Sequence, residues 1–170
     1  SFLVRPVSNP VYQRINSYST IDFRKSLGHF FKNSSTQHSN MTFDEILDRL
    51  ETNDVNDFQR EALQEAIKIQ EDITPALLDI IAFSANKPEW LKENPGYMGF
   101  IYALFLLAQF REVKAYPLII KYISSLSNDD DALDNIGDFI TEDLGAILAS
   151  ICGGDLTPIK QVIENPKLND

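Results

Sequence analysis

The chain has 170 residues, 44% of them hydrophobic, with eleven phenylalanines, six tyrosines and one tryptophan, enough apolar material for one packed domain. Its formal charge of −10 is unevenly spread: Arg5, Arg14, Arg24, Lys25 and Lys32 stand against Asp22 in the first forty residues, which leaves +4 there and −14 on the rest. A body that acidic repels phosphate backbones, which argues against nucleic acid as its ligand and for cations or a basic protein surface, and a single cysteine, Cys152, excludes an internal disulfide and any C-x-x-C zinc spacing.

Residues 1–40 hold eight serines and no sustained helical period. They read as a weakly ordered basic extension or upstream read-through; an organellar targeting segment and a partner-binding arm share that composition. No apolar run reaches the roughly 18 residues that span a bilayer, and a secretory signal core is missing. A soluble, cytoplasmic protein with no membrane partner is expected.

Regular patterning starts at Met41 and defines a domain over residues 41–170. Thr42-Phe43-Asp44-Glu45 is a capping box, with the Thr42 hydroxyl accepting from the Glu45 amide and the Glu45 carboxylate reaching back. Phe43, Ile46, Leu47 and Leu50 then recur at helical spacing. From there the pattern predicts helices at 42–52, 57–71, 74–86, 97–111, 115–126, 132–139, 141–152 and 156–165, with no alternating strand. The fold class is all-α.

Pro75, Pro117 and Pro158 are 42 and 41 residues apart, each with an alanine nine residues upstream, at Ala66, Ala108 and Ala149. Proline is tolerated in the first turn of a helix, where its missing N–H has no partner to lose, so each should open the second helix of a pair. Thr74 and Thr157 would cap two of them. A period of 41–42 residues with paired helices predicts a right-handed stack of antiparallel helix pairs, a HEAT-like α-solenoid of about three repeats. The segment from Tyr97 to Phe110 is apolar on every side and, at 14 residues, should be buried in protein.

The stretch Y-A-L-F-L-L-A-Q-F-R-E-V-K-A-Y-P-L from Tyr102 to Leu118, together with T-E-D-L-G-A-I-L-A-S-I-C-G-G-D-L-T-P-I-K from Thr141 to Lys160, resembles an uncharacterised bacterial family, domain of unknown function 1186. The resemblance runs from Met41 to about Asn165 and implies no activity. Members usually continue further, and some carry a C-terminal SEC-C metal-binding module that has no counterpart here. A shortened member is therefore expected, with apolar Leu156, Ile159 and Ile163 exposed on an uncapped last helix and self-association through that end.

Catalytic chemistry finds little support. Both histidines, His29 and His38, precede the domain, and no phosphate-cradling glycine motif occurs. No cofactor and no metal site is expected. Asn128 to Asp131 with Asp134 and Asp138 form an acidic turn that lacks the Ca²⁺-loop pattern. Cys152 reads as a buried small hydrophobe. Glu142 and Asp143 oppose a helix dipole after Thr141, and Asp155 occupies a Gly-Gly-Asp turn. With Arg111 and Glu112 at a turn between paired helices, and Trp90 in an irregular link, they are the candidate partner-binding residues. Trp90 is also read as a lid over the apolar helix. The function expected is an interaction scaffold or adaptor with a protein partner; the alternatives are a carboxylate-dependent enzyme and a fragment without function of its own.

Overall fold

A computed structural model describes residues 41–52, 58–126 and 143–164, and every regular element among them is helical. In chain order these are α1 (Phe43–Leu50), α2 (Arg60–Lys68), α3 (Gln70–Asn86), α4 (Pro88–Glu93), α5 (Gly99–Phe110), α6 (Ala115–Leu126), α7 (143–151) and α8 (Thr157–Ile163). The chain is thus all-α over its described part. The N-terminal segment, the acidic run of Asn128 to Asp138 and the helix predicted at 132–139 lie outside the described residues, as do both histidines.

The capping box forms as its residue types require. The Glu45 amide donates to Thr42 Oγ1 at 3.3 Å, and the Thr42 amide donates to Glu45 Oε2 at 2.8 Å. The amide bond to Oε2, joined by the Thr42 hydroxyl donating to the same oxygen at 3.1 Å, holds the Glu45 carboxyl below the usual carboxylate range. Ile46 and Leu50 carry the inward face of α1 into the core.

Helix α3 is the centre of the packing, with α5 and α6 both closing on it. Its inward residues Ile73, Leu77, Ile81 and Ser84 follow helical spacing. The buried Ser84 satisfies its hydroxyl by donating to the Ile80 carbonyl at 2.9 Å. The apolar helix is enclosed as expected: in α5, Phe100, Tyr102, Ala103, Leu104, Leu106 and Leu107 are all buried, while Gln109 faces solvent.

One expectation about the prolines is corrected. Pro75 does not open a helix but sits at the sixth position of α3, which starts at Gln70, one residue after α2 ends. Helix pairs that fold back need a connection of about two residues or more, so the single residue Ile69 between α2 and α3 makes a bend, not a hairpin turn. Pro75 is tolerated inside α3 because it and Glu71, whose carbonyl loses its usual donor, are exposed to water. Thr74 is consequently no cap; its hydroxyl donates to the Gln70 carbonyl at 2.7 Å. Pro117 and Pro158 do fall in first turns. The three alanines also differ, Ala66 being buried, Ala108 half-buried and Ala149 exposed.

Two turns set the remaining geometry. Arg111 adopts the left-handed region (φ 55) at the end of α5, with its amide donating to the Ala108 carbonyl at 3.1 Å and the Glu112 amide to the Leu107 carbonyl at 3.0 Å. This is a Schellman stop with arginine where glycine is usual. Gly153 and Gly154 supply positive φ between α7 and α8, and Gly153 approaches Val113 closely enough for a side chain there to touch it. Leu156 is exposed as expected at the C-terminal end, but Ile159 packs against the core and α8 lies on α6. Among the described residues no helix is long and apolar enough to cross a membrane.

Candidate functional site

An open groove of about 580 Å³ lies between α1, α3 and α4. On α3, Ala76, Asp79, Ile80 and Phe83 line it, a set spaced i, i+3, i+4, i+7, so one face of the helix serves the groove while the opposite face serves the core. Leu47 and Glu51 line it from α1 and its C-cap; Trp90 and Tyr97 close the far end.

The aromatic end is ordered by ring geometry. Trp90 meets Phe83 at 5.3 Å between centroids and 79°, and meets Tyr97 at 5.0 Å and 82°. Both are edge-to-face contacts within the favourable range, so each ring limits the tilt of the next. Trp90 stands on a short helix that Pro88 opens, not in an irregular link. Tyr97 is fixed from its other end by donating its hydroxyl to Glu51 Oε1 at 2.7 Å. A side chain at position 99 would collide with the Tyr97 ring, so Gly99 is what allows that ring to fold back over the start of α5. Lys87 places its ammonium 5.4 Å from the Phe83 centroid, within the range of cation–π attraction.

Burial raises the pKa of the Tyr97 hydroxyl above its ordinary 10.0, and its bond to the Glu51 carboxylate and that group's negative charge push the same way. A raised folded-state value means that the fold favours the protonated phenol. That stabilisation is complete below pH 10 and is lost as the pH rises further. The urea midpoint should therefore fall between pH 9 and pH 11, and Tyr97→Phe should flatten the decline. A decline of unchanged slope would show that Tyr97 does not carry it. Part of the slope should survive in that variant, because burial also raises the pKa of Tyr116.

Of the candidate partner-binding residues that fall among the described residues, only Trp90 lines this groove. It packs edge-to-face between Phe83 and Tyr97, at the start of the apolar segment from Tyr97 to Phe110. Arg111 and Glu112 form the α5 stop, where Glu112 Oε1 accepts from the Lys114 amide at 3.0 Å. Asp155 accepts from the Thr157 amide at 2.9 Å, which holds its carboxyl below the usual range and makes Asp155, not Thr157, the side chain that anchors the start of α8. Asp143 is 1% exposed and so is not accessible to a partner. Glu142 lies outside the described residues. Cys152 is buried, as expected of a small hydrophobe. Among the described residues, no group of three or more His, Cys, Asp or Glu is placed to hold a metal ion.

Sequence reasoning missed Phe83, Tyr97, Glu51 and Asp79. A signal was present for the rings: Phe83, Trp90 and Tyr97 recur every seven residues across Pro88 and Pro95-Gly96. Aromatics that bracket two breaks can converge on one patch, whereas the same spacing in one unbroken helix would be a stripe.

Residues 41–170 match the family described as "Protein of unknown function (DUF1186)". Two relatives, each described as "Uncharacterized protein", come from Chlamydia muridarum (strain MoPn / Nigg) and Chlamydia trachomatis serovar D. Each is 43% identical over 110 residues, which is 65% of this chain and 43% of the relative. The aligned region thus covers less than half the length of these relatives. No solved structure matches the chain.

Proposed function

The chain belongs to the DUF1186 family of proteins of unknown function, and from that premise we propose that its helical body is a cytoplasmic interaction module that docks a segment of another protein in the groove between α1, α3 and α4. The observation that carries this reading is the ordered but open aromatic end of the groove. Phe83 is 40% exposed although it is a large apolar ring, and rigid aromatics at the surface are the side chains that anchor protein interfaces. An enzyme site would instead enclose converging polar groups, whereas Glu51 and Asp79 here stand exposed at the rim.

The body is organised as a HEAT-like stack. The place of Pro117 and Pro158 in the first turns of α6 and α8 supports this, as does the close approach of Gly153 to Val113 between the turns that end the first helices of two successive pairs. The bend at Ile69 makes the first pair atypical, as terminal repeats are.

A photo-crosslinking side chain at position 83, compared with one at the exposed Gln109, tests the docking site in a native lysate. A discrete adduct from position 83 that position 109 does not give is expected. Equal labelling from both positions, or none from position 83, would overturn the assignment of the groove.

A further inference from the structure

We propose that the groove selects an arginine side chain on its partner, with the guanidinium lying on the Trp90 end of the aromatic row and reaching the carboxylates of Glu51 and Asp79. This rests on the groove being the docking site and adds the chemistry of its occupant.

Three observations converge on a cation. The walls that are polar are acidic, with Glu51 from one side and Asp79 from the other. The apolar end is a row of rings whose faces attract positive charge, and the chain's own Lys87 already lies over the Phe83 ring. The charge outside residues 1–40 is −14, which steers basic segments toward the body and repels acidic ones.

Arginine fits better than lysine for geometric reasons. Its guanidinium is planar, stacks on an aromatic face and still points donors outward in its own plane. The two carboxylates line the groove from the end of α1 and from α3, and Glu51 already accepts the Tyr97 hydroxyl through Oε1. A group with five donors in a fixed fork can bond the remaining oxygens of both, while a compact ammonium serves one direction well. Leu47 and Ile80 line the same groove, so apolar residues beside the arginine have a surface to cover.

The test uses the full chain and its single tryptophan as reporter. The probes are two blocked nine-residue peptides with leucines flanking one central position, in a Gly/Ser background, holding arginine in one and its neutral isostere citrulline in the other. The arginine peptide should change Trp90 emission and bind about tenfold more tightly than the citrulline peptide at low salt, with the gap narrowing as salt rises. Glu51→Gln and Asp79→Asn should each remove most of that gap.

Equal binding of the two peptides, with both lost in Phe83→Ala, would sink the arginine assignment and leave the groove reading standing. No binding of either would sink both. Tighter peptide binding by a variant with Arg5, Arg14 and Arg24 changed to glutamine would identify the occupant as this chain's own basic segment and overturn the assignment to a partner. Affinity that weakens as protein concentration rises would do the same in favour of a second copy.

Discussion

Replacing Leu107 by alanine should lower the free energy of unfolding by about 2–5 kcal/mol, measured by urea denaturation, with an unchanged helical circular dichroism spectrum. Leu107 is fully buried in α5, and α5 is surrounded: it closes on α3, and both ends are fixed, by the Schellman stop at Arg111 and by the Met98 amide donating to the Thr52 carbonyl at 3.0 Å. A void at position 107 can collapse only if one of these neighbours moves, so the cost should fall in the upper half of the range. A matched change at Phe105, which is only half-buried on the same helix, should cost less. If the two variants lose the same stability, α5 is not the enclosed helix described here.

The fold was legible wherever one local pattern admitted one solution. Thr42 and Glu45 could satisfy the orphan amides of α1 in only one arrangement, and they do. The segment that became α5 is apolar on every side, and no surface helix has that pattern. The reading failed where two local solutions were close in energy. Pro75 with Thr74 before it reads as a capped helix start, yet the same residues are accommodated inside a longer helix because the freed carbonyl of Glu71 meets water. Tertiary packing of α3 against α5 and α6 decides between the two, and that term is not written in the few residues around Pro75.

The site was less legible for a related reason. Its carboxylates and rings come from three separate stretches, around Glu51, around Asp79 to Phe83, and from Trp90 to Tyr97, which the fold brings together. Sequence reasoning favoured residues that were conspicuous in themselves, and three of the six proved to be stops and caps. Arg111, Glu112 and Asp155 each have a demonstrable backbone duty at a helix end. Asp79 looked ordinary because its importance lies in what faces it.

Tyr102 couples that groove to the core, and truncating it should have the larger effect of any single change away from the groove itself. The side chain is 1% exposed, its ring lies 6.3 Å from that of Phe58, and its hydroxyl accepts from the Gln59 amide at 3.3 Å. These contacts tie α5 to the chain just before α2, and α2 in turn packs on α1, which carries Leu47 and Glu51. Tyr102→Ala should therefore cost about 3–5 kcal/mol of stability, whereas Tyr102→Phe, which keeps the ring and removes one acceptor, should cost about 1 kcal/mol. Because α1 reaches the rest of the body partly through this contact, the alanine variant should also let Glu51 drift from Tyr97 and shift Trp90 emission toward that of a more hydrated indole before global unfolding begins. The phenylalanine variant should keep the native emission. Emission that changes only with global unfolding in both variants would show that α1 is held against the groove by other contacts, and the coupling through Tyr102 would have to be abandoned.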